Sequence, residues 1–245
     1  MPLPESLSPA SPDIALVQAI QLVRRVAGRD VCLLHPCDFS IFSGDRVAVT
    51  GSSGSGKSVF LRALALLDPL DGGSILWRGQ PVQRAQIPGY RRRVAYVSQR
   101  PALVDGSVQD NLRYPFTLNI YRNIAFDRNA AMRLAERAGR GPDFLEKRAS
   151  ELSGGEAQIV ALIRILQLGP EVLLLDEPTA SLDPESTRQI EALVTAWFES
   201  GDPGQAGLSV PRASIWVSHD HAQARRVSNR FLIMRAGILS QERSP

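Results

Sequence analysis

Along this chain the apolar positions gather into short runs, and these alternate with longer stretches at helical spacing. From Ala15 to Val23 the spacing is close to that of a strand, and Gly28 marks a turn within Arg24–Asp30. Phe39–Phe42 and Val47–Thr50 read as short strands, and Ser43-Gly44-Asp45 between them reads as a hairpin-type turn. Val47-Ala48-Val49 and Val172-Leu173-Leu174-Leu175 are unbroken apolar runs, as in strands buried on both faces of a parallel sheet. Ile75–Trp77, Val94–Val97, Ser214–Val217 and Phe231–Met234 are further strands. Helical spacing is expected over Lys57–Leu67, Ala130–Ala138, Gly154–Leu168, Pro184–Phe198 and His219–Val227. Strands vanish over residues 107–150, which read as an inserted helical subdomain. Elsewhere strands and helices alternate, which predicts an α/β fold with a mainly parallel sheet. Arg91-Arg92-Arg93 reads as a solvated turn. Four prolines in the first twelve residues predict a disordered tail over 1–13, and Gly and Pro make 200–213 a flexible loop.

Composition narrows the classes without choosing among them. The 245 residues suit one large domain, and 44% hydrophobic with 22% charged residues is ordinary for a globular protein. The net charge of +3 is a weak field for a body of this size, and aromatics at 6% disfavour a base-stacking nucleic-acid surface. No apolar run approaches the ~18–20 residues that span a bilayer. Met1–Pro12 lacks the basic start and apolar stretch of a signal peptide. Cys32 and Cys37 bracket His35 without further ligands at a recognisable metal spacing, so two reduced thiols are expected.

Candidate chemistry begins at Gly51-Ser52-Ser53-Gly54-Ser55-Gly56-Lys57-Ser58, which fits G-x-x-x-x-G-K-[ST]. Glycines let the backbone curl until successive N–H groups converge on phosphate oxygens, and the following helix adds its positive end. Lys57 would neutralise the β- and γ-phosphates, and the Ser58 hydroxyl would take one Mg²⁺ position. A Gly/Ser linker holding a lysine is the plain alternative, but the motif follows a buried strand and opens an amphipathic helix. The second pattern is Asp176-Glu177, two carboxylates at the end of a buried strand, where ligands of such sheets bind. Asp176 suits a Mg²⁺ contact and Glu177 suits deprotonating an attacking water. Leu152-Ser153-Gly154-Gly155-Glu156 opens a helix as a capping box, but two glycines at a helix start are costly unless a phosphate approaches the backbone there.

Together these motifs resemble the ATP-binding cassette (ABC) ATPases over about residues 14–240. The resemblance implies a P-loop fold of ABC type, with a mainly parallel core sheet, an antiparallel N-terminal β part and an inserted helical subdomain. Core segments would be 14–99 and 151–240, the insert 100–150, and 241–245 a tail. It further implies that Gln99 contacts Mg²⁺ and senses a membrane partner, and that Ser153, Gly154, Gly155 and Glu156 form the family signature. Asp176 and Glu177 become the magnesium-binding aspartate and the catalytic glutamate. Ser181-Leu182-Asp183 matches the family's D-loop, with Asp183 among the nucleotide-binding residues, and His219 becomes the histidine that holds the γ-phosphate. ATP and Mg²⁺ are the implied cofactors. Two chains would sandwich two ATP molecules head to tail, the phosphate loop of each facing the signature of the other.

Three positions depart from the family pattern. Val26 stands where an adenine-stacking aromatic is usual, which predicts weak adenine discrimination and a gain in ATP affinity for Val26→Tyr. Val59 stands at the α-phosphate position in place of threonine, and Ile159 replaces a common arginine. One cassette without membrane helices resembles a separate transporter subunit, peripheral on the cytoplasmic face, whose permease is another polypeptide docking over Pro101–Phe116. Tyr114-Pro115-Phe116 is similar to subunits assigned to iron export; phosphate, amino-acid or lipid transport stay open. A soluble ABC ATPase acting on nucleic acid or ribosomes is disfavoured by the absence of a coiled-coil insertion or second cassette. An inactive interaction protein is disfavoured because Lys57, Asp176, Glu177 and His219 are all present.

Overall fold

A computed structural model describes residues 14–29, 31–199 and 212–241. The tail over 1–13, Asp30, loop residues 200–211 and residues 242–245 lie outside the described residues. Strands β1 (Val17–Arg25), β2 (Cys32–Ile41), β4 (Gly72–Trp77) and β5 (Gln80–Pro81) form an antiparallel sheet in the order β2-β1-β4-β5. The second sheet adds β3 (Arg46–Thr50), β6 (Val94–Val97), β7 (Val172–Asp176), β8 (Ala213–Val217), β9 (Arg230–Arg235) and β10 (Ile238–Gln241), ordered β10-β9-β3-β8-β7-β6. It is parallel except for the β9–β10 hairpin.

The turn at Ser43-Gly44-Asp45 is present, but it does not make a hairpin. β2 pairs with β1 in one sheet, whereas β3 pairs with β8 and β9 in the other. Gly44 (φ 87°) redirects the chain between layers. Arg91–Arg93 keeps Arg91 and Arg93 exposed, as expected, but is helical. It is the last turn of helix α2 (Ile87–Arg93), where Arg91 donates to the carbonyls of Ala65 and Leu66 and Arg93 pairs with buried Glu171 at 2.7 Å. Residue 241, expected in the tail, ends β10, a strand that follows the expected last strand Phe231–Met234.

Helix α1 (Lys57–Leu64) lies between the two sheets. Phe60, Leu61 and Leu64 are fully buried among Leu22, Leu34, Val49, Leu174 and Val217, each burial contributing about 1.5–3 kcal/mol. The helix stops before the predicted Leu67, because Leu66 turns to φ 52° and Leu67 N–H closes on the Arg62 carbonyl at 2.9 Å. Strand β7 explains its unbroken apolar run. Val172 and Leu174 enter this core, while Leu173 and Leu175 enter the core on the opposite face.

That second core is covered by α5 (Gly154–Leu166), α6 (Pro184–Glu199) and the insert helices α3 (Val108–Arg113) and α4 (Arg128–Arg137). Four short 3-10 turns fill the rest of the insert. Its two ends are pinned together by backbone bonds, Val108 N–H to the Lys147 carbonyl and Ala149 N–H to the Gly106 carbonyl, both 2.9 Å. Helix α7 (His221–Val227) precedes β9. No helix among the described residues is long and apolar enough to cross a membrane.

Candidate active site

The loop Gly51–Gly56 joins β3 to α1 at the carboxyl edge of the parallel sheet. Two glycines there are obligatory. A Cβ on Gly51 (φ 145°) would lie 2.2 Å from the Met234 carbonyl oxygen, and one on Gly56 (φ 106°) 2.9 Å from that of Leu33. Gly56 caps α1 in the left-handed conformation without any side-chain bond, and no acidic residue occupies the first turn. The first N–H groups of α1 are therefore left to an external acceptor. Lys57 is buried, and its Nζ donates to the carbonyls of Gly51 and Ser52, both at 3.0 Å.

Asp176 ends β7, which runs beside α1 and β6. Ser58 Oγ donates to its Oδ1 at 2.9 Å and Tyr96 Oη to its Oδ2 at 2.7 Å. Burial first, and then the Asp176 carboxylate, push the Tyr96 hydroxyl well above the usual tyrosine value, so it remains a proton donor. Glu177, the next residue, takes φ 48°, a conformation that costs a non-glycine residue about 1–3 kcal/mol. The bend delivers its carboxylate to three groups. Lys57 Nζ lies 3.6 Å from Oε1, Gln99 Nε2 donates to Oε2 at 3.2 Å, and His219 Nε2 stands 2.5 Å from Oε1. His219 is outside the helix in which its spacing placed it. Asp220 caps α7 by accepting from Ala222 and Gln223 N–H, so the helix starts at His221 and His219 stays on the preceding loop.

Ser53, Gly54, Gly56, Lys57, Ser58, Val59, Gln99 and Glu177 line one cleft of about 430 Å³. Gly51, Ser52 and His219 face a neighbouring cleft, and Ser55 is buried beneath the loop. Ser153, Gly154, Gly155, Glu156 and Asp183 do not line the first cleft. They form a separate cluster. Ser153 Oγ accepts from Glu156 N–H at 3.2 Å, and Glu156 Oε2 accepts from Ser153 N–H at 3.0 Å, which closes the expected capping box. Lys147 Nζ bonds Glu156 at 2.9 Å and holds its carboxyl below the usual glutamate value. Asp183 caps α6 through the N–H groups of Glu185 and Ser186, both at 2.9 Å.

Several neighbours of the site carry no motif. Cys32, Leu33, Ala236 and Gly237 complete the cleft wall, brought there by β2 and the β9–β10 turn. Cys32 is half-buried and Cys37 buried, and both are free thiols. Gln223 Nε2 donates to Thr179 Oγ1 at 2.9 Å, and Ser218 Oγ donates to Gln223 Oε1 at 2.8 Å, tying the segments after Glu177 and before His219. Tyr96 carries no local signal in the sequence, because Asp176 reaches its hydroxyl from a segment 80 residues away. Val26 lies in the β1–β2 turn, where its N–H bonds the Val31 carbonyl at 2.9 Å.

Comparison with known proteins decides the family. The family described as ABC transporter matches residues 34–180, well over half of the chain, a span that holds both glycine-rich motifs, Gln99 and the acidic pair. The chain belongs to the ABC transporter family. It is an ABC ATPase domain, 38% identical over 216 residues to the rice protein STAR1, covering 88% of this chain and 59% of that one. Against the probable iron export ATP-binding protein FetA of Escherichia coli it is 34% identical over 201 residues, 82% of this chain and 84% of FetA. Other relatives are named for import of methionine, sulfate or thiosulfate, phosphate and nickel. The ABC fold is matched by the ATP-binding cassette MJ0796, solved as a dimer with ADP and phosphate. The TM-score is 0.78 at 22% identity over 94% of this chain and all of that one.

Proposed function

We propose that this ABC ATPase domain binds and hydrolyses ATP as a head-to-tail dimer and thereby drives transport through a separate permease. The observation that carries the reading is the position of Glu177, whose one carboxylate meets Lys57, Gln99 and His219. In an ATP complex, Lys57 would leave the Gly51 and Ser52 carbonyls for the β- and γ-phosphates, and the α1 N–H groups would bind phosphate oxygens. Glu177 would take the proton from the attacking water, while His219 and Gln99 keep its carboxylate aimed.

The donors near the γ-phosphate fit Mg²⁺. Ser58 Oγ and Asp176 Oδ1 are hard oxygens 2.9 Å apart, and Mg²⁺ takes one or two such groups plus phosphates and waters. Phosphate oxygens and waters would complete the shell. Bound there, Mg²⁺ would neutralise phosphate charge. The signature Ser153-Gly154-Gly155 lies outside its own chain's cleft, which fits its use by a second copy. Closure of that copy would complete the site and exclude water.

The permease would dock where the insert meets the core. A cleft of about 230 Å³ lies there between Leu67, Tyr96, Tyr121 and Ile165, with Arg91 and Arg92 at its rim. Tyr114, Leu118, Ile120 and Ile124 are exposed on the same segment, which moves the contact somewhat beyond Pro101–Phe116. The protein would then sit on the cytoplasmic face of the membrane. Similarity to FetA over most of its length supports export of iron or another metal ion as the cargo. Reconstitution with the copurifying permease tests both levels. Turnover should fall about 10²–10⁴-fold in Glu177→Gln. Wild-type protein as inactive as the variant would refute hydrolysis. Turnover stimulated by phosphate, an amino acid or a lipid but not by metal ions would refute the cargo.

A further inference from the structure

The signature cluster and the α6 cap are joined by contacts that the hydrolytic chemistry does not use. Gly155 packs directly on α6. A Cβ there would lie 2.4 Å from Ser186 Oγ and 2.8 Å from Ser186 Cβ. The same Ser186 hydroxyl donates to Asp183 Oδ2 at 2.6 Å. A second connection runs through Arg140. Its Nη1 lies 3.7 Å from Glu156 Oε1, and its Nη2 donates to the side-chain oxygen of Gln189 on α6. Gln189 Nε2 donates in turn to Glu185 Oε1 at 3.0 Å. Arg140 itself belongs to the insert. Its N–H closes the end of α4 on the Ala135 carbonyl at 2.9 Å, and its guanidinium lies 6.0 Å from the Phe144 ring centroid. One half-buried guanidinium thus touches the insert, the cap of the signature helix and the helix that Asp183 caps.

We propose that Arg140 is a positioning residue that makes the insert, the Ser153–Gly155 turn and the Ser181–Asp183 loop move as one body. The inference rests on the dimeric reading above, in which the signature turn approaches the second copy, and it extends that approach to Asp183, which also stands outside its own chain's cleft. Two loops that must meet a facing phosphate site together gain from a shared rigid support, because independent placement of each adds an ordering cost to closure. Planar guanidinium geometry suits the task, since its fork serves two acceptors in fixed directions, which an ammonium cannot do. Lys147 supplies the contrast. It neutralises Glu156 without an observed bond to α6, so it serves charge and cap but not the linkage.

The test uses the full chain carrying Glu177→Gln, so that ATP-driven dimers accumulate, with dimerisation followed by light scattering against ATP concentration. Adding Arg140→Ala should raise the ATP concentration for half-dimerisation about tenfold, while fluorescent-nucleotide affinity of the monomer changes less than twofold. Lys147→Ala should shift dimerisation less than twofold. Gln189→Ala, which removes the α6 partner without changing charge, should reproduce most of the Arg140→Ala shift, and the double variant should add little to it. With Glu177 intact, Arg140→Ala should lower kcat with little change in KM. Dimerisation of Arg140→Ala at the parent concentration would overturn the proposal, as would a Lys147→Ala shift of equal size or full additivity with Gln189→Ala. A Glu177→Gln parent that binds ATP and stays monomeric would instead overturn the dimeric reading, and this inference with it.

Discussion

Helices α1 and α5 both begin on glycine-rich turns, and their first turns are completed in opposite ways. At α1 the capping position is Gly56 in the left-handed conformation, without a side-chain acceptor or a nearby acid. At α5 Ser153 and Glu156 satisfy each other's backbone N–H groups, and Lys147 neutralises the glutamate. The first start is therefore open to an anion and holds its own cation, Lys57, in reserve on loop carbonyls. The second is already capped, leaving the N–H groups of Gly154 and Gly155 without intrahelical acceptors. On the function proposed above, the first start would gather phosphate on its own. The other would keep its shape until a phosphate is brought to it, which fits a surface presented to a second copy.

The largest break in this contrast should come from Lys57→Ala. Losing the charge that serves the open start should lower ATP turnover about 10²–10³-fold, measured as phosphate release at saturating ATP. Ser153→Ala should leave the nucleotide affinity of the monomer within twofold; a loss comparable to that of Lys57→Ala would erase the distinction. Gly155→Ala should destabilise the fold by about 1–3 kcal/mol through overpacking on Ser186, despite alanine's better helix propensity. Urea unfolding measures it, and Gly155→Ala should cost less in a Ser186→Gly background, where the facing Cβ and hydroxyl are gone. Ser153→Ala should cost about 1 kcal/mol as a lost cap.

Glu156 gives a pH signature. Its bond to Lys147 lowers its pKa beneath the ordinary 4.5 in the folded chain. The unfolded state therefore binds the proton more readily, and the stabilisation is complete above pH 4.5 and lost as pH falls through the lowered value. The stability gap between wild type and Glu156→Gln should narrow as unfolding is repeated below pH 4.5. The smallest effect concerns thiols. Burial pushes the Cys37 thiol up to about 11, so at pH 8 it should resist a thiol reagent, while Cys32 at the cleft wall should react and be slowed severalfold by ATP. Equal reactivity of both thiols would contradict the burial of Cys37, and no slowing by ATP would place Cys32 away from the nucleotide.

The legible parts of this molecule were those whose cause is local. The glycine-rich loop before α1, the capping box at Ser153 and the buried run of β7 follow from turn chemistry, cap chemistry and burial period within a few residues. Strand pairing was less accessible. Phe39–Phe42 and Val47–Thr50 are near in sequence and joined by a turn, which favours a hairpin locally, yet burying α1 on both sides requires them in different sheets. Arg91–Arg93 showed only its charge, because the Ala65 and Leu66 carbonyls and Glu171 that receive those guanidiniums come from distant segments. Tyr96 and the Cys32 wall were missed for the same reason.

By itself the sequence determined which short segments could curl into a tight glycine loop, cap a helix or end a buried strand, since those outcomes depend on backbone freedom and neighbouring donors. The tertiary structure alone decided that Lys57, Gln99 and His219 meet one carboxylate of Glu177, and that the capped Ser153 turn stands apart from them. The first kind of order arises within a turn of chain. The second requires parallel strands to close long loops in one register, and only the packed cores on both faces of the sheet select that register.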